Sequence, residues 1–271
     1  MPRQARKKCE SGIYHVMMRG INRQDIFEDE EDTQKFLDLL LSYKQICGYE
    51  IYAYCLMGNH LHIVLREGQE ELGSIFKRIG AAYVYYYNIK YQRKGHLFQD
   101  RFKSEPIYDD AHLATVIRYV HMNPVKAGIV KSPEEYQLSS YCTYLKWDEQ
   151  FDGAGETFVD CGYMLSIYGK EEFIRFTQET NGDIFLDDNE PARKGMTDAA
   201  ARALLAQMTQ CGNPAQFQAL ERSVRNAYLA ALKAEGVSIH QLCRLTGLSY
   251  GTVQKADFKE IKQLENCLYL Q

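Results

Sequence analysis

The chain has 271 residues, 45% of them hydrophobic and 25% charged, enough for one large domain or two smaller ones around a buried core. It has no run of 18 or more apolar residues, and its opening MPRQARKKCESG lacks the apolar stretch of a signal peptide, so neither a membrane span nor secretion is expected and the reading is cytoplasmic. Eight scattered cysteines without a CxxC pair speak against a zinc ribbon or a disulfide framework, and the net charge of −4 hides an uneven distribution that nucleic acid could exploit.

In chain order, residues 12–19 (GIYHVMMR) read as a strand, and residues 32–48 carry apolar positions at helical spacing and stop at Gly48. Residues 49–57 are rich in strand formers. Gly58–Asn59 forms a two-residue hairpin turn into the strand HLHIVLR. A helix over 72–91, an extended segment over 96–108 and a helix over 110–122, ended by Pro124 and Gly128, complete the pattern. The order β-α-β-β-α-β predicts an α+β fold with a ferredoxin-like antiparallel sheet and helices on one face.

Two histidines stand out within CLMGNHLHIVL. In a strand, His60 and His62 share one face while Leu61 and Ile63 take the other. Buried imidazoles need partners, and one economical partner for both is a metal ion; a core histidine beside a hairpin-end histidine is the alternative. On the helix IRYVHMNPVKAG, Tyr119 and Asn123 lie one turn apart on one face. That spacing fits a nucleophile beside an oxygen ligand, and it equally fits a core tyrosine. Two imidazoles with one amide oxygen, and no thiolate, suit Mg²⁺ or Mn²⁺ with open positions for water or phosphate.

Taken together, MGNHLHIVL, GHLFQDRFKSEPI, YVHMNPVKAG and the N-terminal YHVMMRGINRQDIF resemble the HUH single-tyrosine transposases, of the insertion-sequence type and the REP-associated (RAYT-like) type, over roughly residues 10–145. The resemblance implies that His60, His62 and Asn123 hold the metal and that Tyr119 attacks a phosphodiester of single-stranded or hairpin DNA at repeat-type ends. It further implies a phosphotyrosine and a released 3′-hydroxyl, so that strands are cut and rejoined without ATP. Consistent with that, no P-loop is present. The implied oligomeric state is a monomer or a homodimer.

Between Lys77 and Lys103 seven Lys/Arg face one acid, Asp100, whereas Lys146 to Gly195 has twelve acids against five bases. Within and near the basic stretch, Arg101 and Lys103, and before it Arg19 and Arg23, are candidate phosphate contacts or ordinary surface charges. His15 on the first strand is either an added member of the site or core. Residues 1–146 are expected to form the transposase-like domain. Residues 147–271 are expected to form an α-helical accessory domain, with an acidic linker over 147–160 and a helix-turn-helix at about 222–258. There Gly247 supplies the turn, Ser249 an N-cap, and Thr252, Gln254 and Lys255 the DNA-reading side chains. The rival functions are a nicking relaxase or replication initiator with the same residues, and a non-catalytic helix-turn-helix regulator.

Overall fold

The computed structural model describes residues 7–147, 157–179 and 196–256, which fall into two compact units, 7–179 and 196–256. In the first, β1 (Ile13–Arg19) leads to α1 (Glu30–Cys47), β2 (Glu50–Met57), β3 (His60–Arg66), α2 (Leu72–Lys90), β4 (Lys103–Ile107) and α3 (Asp110–Lys126). The sheet order β2-β3-β1-β4, with every neighbouring pair antiparallel, is the expected ferredoxin-like arrangement.

Local sequence signals set both ends of α1. Asp29 caps α1 by accepting from the Asp32 N–H, and Gly48 ends it in the left-handed conformation (φ 69°) that a side chain disfavours. Aromatic residues Phe27, Phe36 and Tyr83 then lock α1 and α2 together under one sheet face, where Gly80 of α2 lies against Met18. The ammonium of Lys90 ties the two helices further, 2.7 Å from Asp29 and 2.9 Å from the fully buried Asp32.

Two expectations are corrected. The helices of the pattern, α1 and α2, share one face as expected, while the further helix α3 covers the opposite face, with the Tyr119 ring against His15 and His62 of the sheet. That helix also runs past Pro124 to Lys126: Pro124 removes only one backbone donor, and the helix closes three residues later through Gly128 N–H to Val125 C=O and Ile129 N–H to Pro124 C=O. The extended segment over 96–108 is regular strand only over Lys103–Ile107, with Phe98 making an isolated bridge to Gly20.

The first unit also reaches past residue 146. After α4 (Tyr141–Lys146), α5 (Gly162–Tyr168) and α6 (Lys170–Gln178) stay with it. Asp160 N–H bonds to Ile51 C=O at 2.7 Å, Phe173 stacks on Tyr144, and Val159, Cys161, Met164 and Leu165 join the core. Of the expected acidic linker over 147–160, residues 148–156 lie outside the described residues, and Val159 near its end is buried in the core of the first unit.

The second unit contains α7 (Asp198–Thr209), α8 (Pro214–Ala219), α9 (Arg222–Ala234), α10 (Ile239–Thr246) and α11 (Tyr250–Lys255) around a separate small core. Ser238 and Gln241 form a reciprocal capping box on α10, and Arg244 grips the buried Asp198 with two nitrogens. Among the described residues, no helix is long and apolar enough to cross a membrane.

Candidate functional site

The β2–β3 hairpin sets the site. Directly paired residues of antiparallel strands share a face, so His60 lies beside Met57 and Arg19, and His62 beside Cys55 and Met17. The two imidazoles thus sit on one face of the sheet, with ring centres 5.1 Å apart and planes nearly perpendicular at 89°. His62 is fully buried, and the Nε2 atoms of both rings are buried with no hydrogen bond.

The opposite nitrogen of each ring is engaged. His62 Nδ1 meets His15 Nε2 at 2.9 Å, and His60 Nδ1 meets the Asn59 side-chain oxygen at 2.6 Å. A histidine that ligates a metal commonly gives its second nitrogen to such a partner, which orients the ring. From α3, Tyr119 brings its ring edge-on to His15 (5.8 Å between centres) and His62 (5.7 Å). One turn on, Asn123 is buried and its Nδ2 has no hydrogen-bond partner. Seven residues after Tyr119, the Lys126 ammonium stands 4.6 Å from the centre of the tyrosine ring, a cation–π distance.

Among the described residues, no group of three His, Cys, Asp or Glu side chains could hold a metal. A centre built here therefore needs a ligand of another type, and the amide of Asn123 on the same helix as Tyr119 has the chemistry for it. The donor set of two imidazoles and an amide oxygen fits a divalent ion that keeps open positions.

Arg19, Arg101 and Lys103 line one small pocket with Met17, Gln99 and Asp100. Lys103 pairs across the strands with Met17, and Met17 with His62, so this basic group continues the histidine row on the same face. Arg23 does not line that pocket; its backbone carbonyl meets Asn59 Nδ2 at 3.4 Å. The candidates Thr252, Gln254 and Lys255 belong to the second unit. Thr252 is half-buried and bonded to the N-cap Ser249, while Gln254 and Lys255 are exposed and Val253 between them is buried.

Sequence reasoning underweights His15 and misses Lys126 and the role of Asn59. Position supplies a signal for two of them: His15 follows from the β1–β3 register, and Lys126 lies two turns after Tyr119 on the same face. His121, on the same helix as Tyr119, is a core residue. It bonds Ser140 at 2.8 Å and sits edge-on to Tyr141 and Tyr144, and burial pushes its pKa down to about 3.

Residues 8–123 match the family described as "Transposase IS200 like". A putative REP-associated tyrosine transposase of Haemophilus influenzae is 29% identical over an alignment covering 37% of this chain, and this chain spans 65% of that relative's length. A solved structure of a REP-associated tyrosine transposase bound to a REP hairpin is 20% identical, with a TM-score of 0.48, covering 54% of this chain and 86% of the other.

Proposed function

We propose, on the premise that residues 8–123 are an IS200-like transposase domain, that this chain cuts and rejoins single-stranded or hairpin DNA through a phosphotyrosine at Tyr119. One observation carries the reading: a helix tyrosine packs edge-on against His62 and His15, so the candidate nucleophile and the histidine pair form one cluster.

His60, His62 and Asn123 would hold Mg²⁺ or Mn²⁺, which when bound polarises a phosphodiester and offsets the charge that develops in the transition state. The chain's own residues perform the rest. Arg19, Arg101 and Lys103 take the DNA phosphates beside the histidine row and hold the strand in register. The Tyr119 oxygen bonds to phosphorus as the bond to the 3′-oxygen breaks; the phenol gives up its proton and the departing oxygen takes one up. Lys126, close over the ring, favours the phenolate as it forms. The phosphotyrosine conserves the energy of the broken bond, so a second 3′-hydroxyl reverses the step without ATP. Thr252, Gln254 and Lys255 on α11, following α10 after a Gly247 turn, would contact duplex DNA as a helix-turn-helix.

Incubation of the protein with foldback single-stranded DNA and Mn²⁺ tests this reading. A covalent protein–DNA adduct is expected with the wild type and none with Tyr119→Phe, a change that removes one oxygen. An adduct at the wild-type rate in the Phe variant would assign the nucleophile elsewhere.

A further inference from the structure

We infer that Asn59 is a positioning residue that fixes which nitrogen of His60 carries the proton, leaving the Nε2 lone pair free to bind the metal. The inference rests on the metal-centre reading above and assigns a role to Asn59, which lies outside the proposed ligand set.

A neutral imidazole has one N–H and one lone pair, and only the lone pair can ligate a metal. Which nitrogen keeps the lone pair is set by the hydrogen bond that the other makes. His60 Nδ1 lies 2.6 Å from Asn59 Oδ1. An amide oxygen only accepts, so His60 must donate from Nδ1, and its lone pair is then at the buried Nε2.

The orientation of the Asn59 amide decides this, since a flipped amide would donate to Nδ1 and force the proton onto Nε2. The backbone opposes the flip. Asn59 Nδ2 faces the Arg23 carbonyl at 3.4 Å, an acceptor that matches only an NH₂ group at that position. Arg23 presents that carbonyl because the segment after β1 is bent through two successive left-handed residues, Asn22 (φ 52°) and Arg23 (φ 56°). Left-handed backbone at an arginine is disfavoured and persists only when its surroundings impose it.

Three backbone bonds impose it here. Gly20 N–H donates to Asn59 C=O at 2.9 Å, and the N–H groups of Ile26 and Phe27 donate to Gly58 C=O at 2.7 and 3.1 Å. Gly20 cannot be replaced at the start of this bend, because a Cβ there would lie 2.2 Å from the Gln24 carbonyl oxygen. The strained segment and the hairpin turn are thus one unit, and its effect on the site passes through the Asn59 amide. His62 differs: its partner is another imidazole, which can either donate or accept, so that pair does not by itself select a tautomer.

Long-range ¹H–¹⁵N correlation spectra of the metal-free, full-length protein at pH 8 report the tautomer of each histidine, and titration with Mn²⁺ alone reports affinity without DNA. The wild type should show the His60 proton on Nδ1. Asn59→Ala should move it to Nε2 and weaken Mn²⁺ binding about 10- to 100-fold, with the His121 resonances unchanged as a marker of intact fold. Asn59→Asp, whose carboxylate can only accept, should restore both. A wild-type His60 proton on Nε2, or unchanged Mn²⁺ affinity in Asn59→Ala, would overturn the inference. A wild type that binds no Mn²⁺ while His60 carries its proton on Nδ1 would overturn the metal centre itself, and the inference with it, by a result no Asn59 variant can mimic.

Discussion

Under the sheet face covered by α1 and α2, Tyr83 and Tyr87 are buried and still place each hydroxyl on an acceptor, at 2.5 Å from the Ile26 carbonyl and 3.0 Å from the Asp25 carbonyl. On the face covered by α3, His60, His62 and Asn123 bring imidazole and amide groups into the interior, and Nε2 of each histidine and Nδ2 of Asn123 make no hydrogen bond within the protein. Both faces bury large side chains, but these tyrosine hydroxyls are satisfied within the protein and these histidine and asparagine atoms are not. Buried polar atoms left unmatched cost about 1–3 kcal/mol each, a cost that the proposed metal centre would offset.

Substitutions should separate the two faces: one should respond in chemistry, the other in stability. The largest effect is expected for His62→Ala, which should cut adduct formation about 10³-fold or more in a gel assay with Mn²⁺ and foldback DNA. A variant that retains near-wild-type adduct formation would detach the histidine row from the chemistry.

Next in size is a pH effect from the α3 face that does not involve the site. His121 stays neutral in the folded protein down to about pH 3, whereas the unfolded chain takes up its proton near 6.5. The unfolded state therefore binds more protons in this window. Stability is full above pH 6.5 and falls as pH drops, by about 1.4 kcal/mol per unit from this group, until about pH 3. Urea unfolding between pH 7 and 4 should show that slope and His121→Gln should flatten it; an unchanged slope would remove His121 as its source.

Tyr83→Phe tests the opposite face. It strips the Ile26 carbonyl of its donor and should cost about 1–2 kcal/mol of unfolding free energy, with the rate of adduct formation unchanged. A loss of activity without a loss of stability would erase the distinction between the faces. The smallest effects belong to the basic pocket. Arg101→Ala and Lys103→Ala should each weaken single-stranded DNA binding a few-fold and lower the slope of affinity against salt by about 1. A single variant that abolishes binding at all salt concentrations would point instead to collapse of the pocket.

Much of this arrangement is legible in the sequence because it follows local periodicity. The two-residue strand repeat places His60 and His62 together, and the helical repeat joins Tyr119 to Asn123. The strand order follows from the β-α-β-β-α-β pattern. What the sequence conceals is non-local. His15 acquires significance only once β1 pairs with β3 and brings it to His62. Asn59 reads as a turn residue because that is its backbone role, and its amide contact depends on the Arg23 carbonyl 36 positions away. Residues beyond 146 read as an acidic linker over 147–160 and then an accessory domain, because composition does not reveal that Phe173 stacks on Tyr144. Pro124 suggests a helix end, but a proline lacks only its own donor, and the helix stops where Gly128 takes the left-handed turn.

The most direct test of the account is to locate the covalent bond. The adduct formed with foldback DNA and Mn²⁺ can be digested with trypsin, which cuts after Arg118 and Lys126 and releases YVHMNPVK, a peptide with Tyr119 as its one tyrosine. Mass spectrometry should find the nucleotide remnant on that peptide. A remnant on a peptide carrying Tyr108, Tyr136 or Tyr141 would contradict the assignment of Tyr119 as the nucleophile.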